Sequence, residues 1–216
     1  HVAGIIAARD NNIGTVGVAP EATIIAVKVL DRRGSGSWSG VIAGLNWAIA
    51  NDVDVVNMSL SGPYNQDVAT AITLADQAGI VIVAAAGNSG GAIQYPAAFA
   101  ETIAVSATDQ NDNIAYFSSR GNNLSLAAPG VNIRSTFKND GYKTYSGTSM
   151  AAPHVAGAAA LMLSQPVGTY DLDSDSTWDT NEARAKLQDR AEDVGAIGFD
   201  NLFGYGLVDA DNLILP

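Results

Sequence analysis

Cysteine is absent from the 216 residues, which removes disulfide staples, thiol nucleophiles and thiolate metal sites together. Charge is sparse: only 15% of residues are Asp, Glu, Lys or Arg, below the usual quarter. Basic side chains are the scarcer sign, 11 against 22 acidic ones, for a formal charge of −11. A surface of that sign repels phosphate backbones and anionic lipid headgroups, so neither nucleic acid nor a membrane surface is expected as a partner. No apolar run approaches the ~18 residues that a membrane span needs. Histidine occurs only at positions 1 and 154, so any imidazole chemistry within the chain has two candidates.

What is present is an apolar content of 47% with 22 glycines, enough to bury one sizeable core in a single α/β domain spanning 1–216. The chain opens inside an apolar run, HVAGIIAA, with neither an initiator Met nor a signal sequence. Such an opening is expected of a processed or truncated chain whose upstream part lies elsewhere.

Apolar β-rich runs alternate with amphipathic stretches. The pattern predicts strands at Ala22–Leu30, Val53–Leu60, Ile80–Ala85 and Thr102–Ala107, with helices at Ser39–Ala50 and Gln66–Ala78. Residues 109–145 are turn-rich with short strands, a small-residue helix starts near Ser149, and a last helix covers Asn181–Ala191. Continuous Val/Ile strands separated by helices predict a three-layer α/β fold, a mostly parallel sheet with helices on both faces. HVAG recurs at His1 and His154, but nothing else repeats at that spacing, so it is no repeat architecture.

In such a sheet, ligands sit beyond the carboxyl ends of the strands. Three loops fall there: Gly34-Ser35-Gly36, Ser59-Leu60-Ser61-Gly62 and Ala86-Gly87-Asn88. A fourth feature is GTSMAAPH from Gly147. A Ser between a tight turn and a helix start projects its hydroxyl outward, beside backbone N–H groups and a helix dipole that favour negative charge. Pro153 is compatible with the first turn of that helix. Taken singly, each feature has a plainer explanation. A Ser there is an N-cap, an Asn after Gly87 is a left-handed turn, and a Gly/Ser loop is a flexible turn. A nucleotide-binding reading of Gly34-x-Gly36-x-x-x-Gly40 fails on spacing and on the lack of an acid after a second strand.

The longer strings decide the matter. GTSMAAPHVAGAAAL resembles the nucleophile segment of subtilisin-like serine proteases. HVAG at His1 resembles the second half of that family's histidine motif, H-G-T-H-V-A-G. VAPEATIIAVKVLD, NWAIAN, VVNMSLSGP, VIVAAAGNSG, QYPAAF, APGV and GYGLVDA follow in family order. The resemblance implies a secreted serine endopeptidase acting on peptide or protein substrates. Ser149 would be its nucleophile, and the Asn88 amide with the Ser149 N–H its oxyanion hole. Gly34, Ser35, Gly36, Ser59, Leu60, Ser61 and Gly62 would line the substrate groove by β-augmentation. Ala85, Ala86 and Gly87 would wall the P1 pocket, with Gln94 near its base, and Trp38 would flank a more distal subsite. The triad Asp and His of the family precede His1 and are missing, His1 aligning with the second His of the motif. His154 reads as a core residue beside Ala-rich packing. The chain alone is therefore expected to be inactive, with the missing N-terminal segment and a propeptide as its partners. The alternative is a non-catalytic homologue that binds peptides.

The same resemblance implies a structural Ca2+ at Arg9, Asn11, Ile13 and Thr15, where the residues alone read equally as an N-N-x-G turn. A second oxygen-rich loop carries Asp171, Asp173, Asp175, Thr177, Asp179 and Glu182 at EF-hand-like spacing. Ser176 stands there in place of the motif's Gly, and no regular helix precedes. A solvated acidic loop is the other reading.

Overall fold

The computed structural model describes residues 1–214. Helix α1 (Val2–Ala7) is followed by α2 (Trp38–Ala50), β1 (Val55–Met58), α3 (Gln66–Gln77), β2 (Val81–Ala85), β3 (Thr102–Thr108) and β4 (Leu126–Pro129). A hairpin of β5 (Ile133–Phe137) and β6 (Gly141–Tyr145) leads into α4 (Thr148–Leu163), then α5 (Thr180–Asp189) and α6 (Ala210–Ile214). The four strands β1 to β4 pair in chain order, all parallel, in the register Val55–Val81, Ile82–Thr102 and Val105–Leu126.

Both faces of this sheet are covered, so its strands alternate between two cores rather than between core and water. Val81, Val83 and Ala85 of β2 face α4, packing against Ala152, Val155 and Ala159. Ile82 and Ala84 face the other way, toward Val41 and Leu45 of α2 and Val68 and Ile72 of α3. Every residue of β2 and β3 is buried, which is why β2 reads as an unbroken apolar run and β3 carries only small polar side chains among its apolar ones. The helices start where short polar side chains accept from backbone N–H groups: Ser37 from Gly40, Asn65 from Val68, Asp179 from Glu182.

Two expectations need correction. Ala22–Leu30 is not a paired strand. Residues 23–29 form no regular element and make no backbone hydrogen bond among the described residues, and only Leu30 forms a bridge, to Gly36. An apolar run is enough to predict a strand, but a ladder needs a neighbour, and none lies against this segment. Pro153 is the sixth residue of α4, beyond its first turn. The acidic loop is preceded, as expected, by no regular helix, only by a single 3₁₀ turn, Gly168–Tyr170.

Candidate active site

The carboxyl end of β2 continues through Ala86 and Gly87 to Asn88, facing the start of α4. Gly87 has φ +113°, which an L side chain rarely adopts, and a Cβ there would lie 2.7 Å from Gln94 Oε1. The loop is pinned to the helix by Thr148, which is fully buried. Gly87 N–H donates to Thr148 Oγ1 (3.1 Å), while Thr148 N–H and Oγ1–H donate to Asn88 Oδ1 at 2.9 and 3.1 Å. With its oxygen doubly engaged, Asn88 must direct its Nδ2 donors elsewhere, and they find no partner among the described residues. Asn88 has a negative φ, so the left-handed-turn explanation fails.

Nor is Ser149 an N-cap. Gly147 caps α4 and Ser149 is its second residue, so its N–H is one of those that a helix leaves free at its start. A Cβ placed on Gly147 would sit 3.5 Å from Asn88 Nδ2 and 3.8 Å from Ser149 N. That point is empty because residue 147 is glycine. Asn88 Nδ2 and the Ser149 N–H, both unpaired, flank it at the positive end of a 16-residue helix, an arrangement suited to a developing oxyanion beside Gly147.

Pro153 explains how Ser149 is set. A helix would bond the N–H of residue 153 to the Ser149 carbonyl, but proline has none. The Ser59 hydroxyl takes that place, donating to Ser149 O at 2.9 Å, and Asn57 Nδ2 donates to Ser59 Oγ at 2.9 Å. The Ser149 hydroxyl itself has a single long contact, 3.4 Å to Ser59 O. It is thus unclamped and turned toward the loop after β1.

Neither imidazole reaches it. His154 follows Ser149 by five residues, about 140° around the helix. Its Nδ1 donates to Met150 O at 2.8 Å, and burial pushes its pKa below the ordinary 6.5, opposed by that hydrogen bond. His1 packs on Tyr145, with Nε2 shared between the carbonyls of Ile133 and Lys143 at 3.1 and 3.0 Å.

Of the residues expected to line a groove, Ser59 alone is hydrogen-bonded to Ser149 among the described residues. Gly62 pairs with Tyr95 (N–H to O, 2.9 Å) and carries Trp38 directly against its α-carbon. The exposed loop with Gly34, Ser35 and Gly36 is held by Asp31, whose Oδ1 accepts from the N–H groups of Arg33 and Ser35 at 2.8 and 3.0 Å. The Ser35 bond, then the Arg33 bond, hold the Asp31 carboxyl below the usual carboxylate range. Leu60 and Ser61 connect β1 to this wall, and Ala85 and Ala86 are buried behind it.

The oxygen-rich loops separate into used and unused donors. Asp171, Asp173 and Asp175 bring carboxylate oxygens within 4.8 Å of one another, a hard-donor set that fits Ca2+. Ser176 adopts φ 63°, the left-handed conformation that the EF-hand pattern assigns to Gly. Thr177 lends both N–H and hydroxyl to Asp175 at 2.7 Å. Asp179 and Glu182, by contrast, form a capping box on α5, and buried Glu182 also accepts from Leu172 N–H at 2.6 Å. D-x-x-E before an apolar run was a legible capping signal. In the other loop Asn11 Oδ1 accepts from Ile13 N–H at 3.2 Å, the exposed Arg9 lies outside that turn, and the buried Thr15 hydroxyl has no partner. Sequence reasoning missed Thr148 and the role of Gly147 altogether; the interval of four from Ser149 to Pro153 was the signal for Ser59.

A model of the subtilase family matches residues 1–206. The chain is 47% identical to subtilisin E of Bacillus subtilis (strain 168) over 212 residues, 95% of this chain and 52% of that protein. It is 46% identical over 213 residues to subtilisin Savinase of Lederbergia lenta, 98% of this chain and 75% of that protein. The same identity and length relate it to the alkaline protease of Shouchella clausii, of which it covers 53%. The chain spans about half the length of subtilisin E and of that alkaline protease.

Proposed function

The chain belongs to the subtilase family, and from that premise we propose that it forms the nucleophile-bearing part of a serine endopeptidase. The observation that carries this reading is the orientation of Asn88. Its oxygen is locked by Thr148, and its amide and the Ser149 N–H flank the space above Gly147.

Ser149 Oγ attacks the scissile carbonyl of an extended peptide bound between the Gly34–Gly36 loop and Ser59–Gly62. The carbonyl oxygen becomes an anion in the space between the Asn88 amide and the Ser149 N–H; its collapse breaks the C–N bond and releases the amine, which takes up the proton that Ser149 gave to the base, and the acyl group stays on Oγ until water releases it as the acid. Ala85, Ala86 and Gly87 with Gln94 shape the P1 pocket, which accepts apolar side chains; Trp38 borders a farther subsite.

Among the described residues no imidazole is placed to take the serine proton, since His1 and His154 are both committed elsewhere. Base and orienting acid must come from a further segment of the protein. Without them, serine peptidases retain only ~10³–10⁴ of acceleration over water, and in subtilisin itself loss of the Ser or His costs ~10⁶. The 216-residue chain by itself is therefore essentially inactive. Secretion, a propeptide partner and a structural Ca2+ belong to the same proposal. No helix among the described residues is long and apolar enough to cross a membrane, and Asp171, Asp173 and Asp175 supply oxygen donors for the ion.

The unclamped Ser149 hydroxyl is also what a non-catalytic, peptide-binding homologue would show. A chimera in which subtilisin E contributes the part that this chain does not span separates the two. Hydrolysis of a peptide p-nitroanilide, abolished by Ser149→Ala, is the expected result. Binding of the peptide without hydrolysis would establish the scaffold reading instead.

A further inference from the structure

Charge is distributed unevenly along this acidic chain. Between Asp112 and Asp171 it has one acid, Asp140, against four basic residues, Arg120, Arg134, Lys138 and Lys143. Three of those four sit on the hairpin of β5 and β6, which runs through Ser146 and Gly147 straight into Ser149. A positive hairpin therefore adjoins the nucleophile of a chain whose formal charge is −11.

The pairing register sorts these groups onto two faces. Ile133 pairs with Tyr145, Ser135 with Lys143 and Phe137 with Gly141, so Phe137, Lys143 and Tyr145 share one face. Arg134 and Tyr142 occupy the other, stacked at 4.7 Å. On the first face the Lys143 ammonium lies 5.1 Å from the centre of the Phe137 ring and 5.0 Å from that of Tyr145, and Lys138 lies 6.0 Å from Phe137. Both lysines are exposed and both rings half-buried. Neither ammonium has a hydrogen-bond or salt-bridge partner among the described residues. An aromatic face attracts a cation but leaves its N–H donors free. Two ammonium groups steadied on fixed rings are thus preset for a carboxylate from outside.

The same face lies to a definite side of Ser149. Tyr145 packs on His1, ring centres 4.9 Å apart, and the hairpin carbonyls of Ile133 and Lys143 hold His1 Nε2 at 3.1 and 3.0 Å. In the motif that His1 completes, the base precedes it by three residues, and a base of this kind returns the serine proton to the departing amine. The hairpin therefore flanks the leaving-group half of a substrate, while the groove of Gly34–Gly36 and Ser59–Gly62 takes the acyl half. From Ser149 back to Tyr145 the backbone spans at most about 14 Å. Three extended substrate residues at ~3.3 Å each, with an acidic side chain, cover that distance.

We propose that Lys143 and Lys138, steadied on Phe137 and Tyr145, make this peptidase select substrates with Asp or Glu among the first three residues after the scissile bond. That this selects a cleavage site rests on the peptidase reading; that the hairpin binds an anionic peptide does not. The preference is local, because the field of a chain at −11 disfavours anionic peptides elsewhere on the surface. An acid on the acyl side of the bond meets only that field and slows the reaction.

The test uses the chimera with subtilisin E and internally quenched peptides that carry Asp or Lys at each of those three places in turn. At the selected place kcat/KM should be ~3–10-fold higher for Asp than for Lys, and the ratio should fall toward one in ~1 M salt, where the screening length is ~3 Å. Lys143→Glu should invert the ratio and Lys143→Arg should keep it. Arg134→Ala removes the same charge from the opposite face and should leave the ratio as it was, whereas Lys143→Ala should lower it. A ratio of one at all three places, or an equal loss in Lys143→Ala and Arg134→Ala, would overturn the proposal. A chimera that cuts none of the peptides refutes the peptidase reading, and fluorescence anisotropy of the uncut peptides then decides the binding site. Tighter binding of the Asp peptide, lost in Lys143→Ala, keeps that site; equal binding of the Asp and Lys peptides removes it.

Discussion

Replacing Ser59 by Ala tests how the backbone at Ser149 is held. The substitution removes the hydroxyl that donates to Ser149 O and accepts from Asn57, both at 2.9 Å. A net hydrogen bond contributes ~0.5–1.5 kcal/mol, so the two together predict a loss of about 2 kcal/mol. For a chain of this size each kcal/mol moves Tm by ~2–4 °C, giving a fall of roughly 4–8 °C in a thermal melt followed by far-UV circular dichroism. The decisive comparison uses Pro153→Ala, which returns an N–H to residue 153 and lets the helix itself satisfy the Ser149 carbonyl. In that background Ser59→Ala should cost only the Asn57 share, about 1 kcal/mol, leaving a coupling energy near ~1 kcal/mol. Equal cost in the two backgrounds, within ~0.3 kcal/mol, would refute the claim that Ser59 replaces the bond that Pro153 cannot make.

Other outcomes follow from the same geometry. Asn88→Ala in the chimera should lower turnover of a peptide p-nitroanilide by the ~10²–10³ that loss of one oxyanion donor costs in subtilisin itself, with little change in KM. Because burial depresses the His154 pKa from 6.5, the unfolded chain binds that proton first on acidification. His154 therefore removes stability as pH falls from about 6.5 toward its folded value, and His154→Gln should flatten the Tm profile between pH 7 and 5. The exposed carboxyls of Asp31, Asp109 and Asp175 are depressed, so their contribution is lost only at lower pH, below 3.8 and on through their folded values. Calorimetry on chelator-treated chain should show Ca2+ uptake that Asp173→Asn weakens; a flat titration would remove the ion from the account.

Much of the architecture was legible because it depends on local order. Ser37 and Asn65 precede their helices as caps, and β2 is apolar without alternation because both faces are covered. The same logic misled at Ala22–Leu30, whose sequence states that it is strand-like but not whether a partner stands beside it. The motif around Ser149 was readable, yet what makes it a site is tertiary. Thr148 fixing Asn88, Ser59 answering for Pro153 and the absent Cβ of Gly147 all join residues that the sequence keeps apart. Asp179 and Glu182 illustrate the converse: one string of carboxylates encodes a helix cap and an ion site equally well, and only the fold assigns the oxygens.

The most direct measurement is the rate at which a fluorophosphonate labels Ser149 in the 216-residue chain, followed from pH 5 to 8. A nucleophile and oxyanion hole without a proton acceptor should label slowly, at a rate that shows no titration of an imidazole. Rapid labelling that rises with an apparent pKa near ~6.5 would mean that His1 or His154 serves as the base, and would contradict the account.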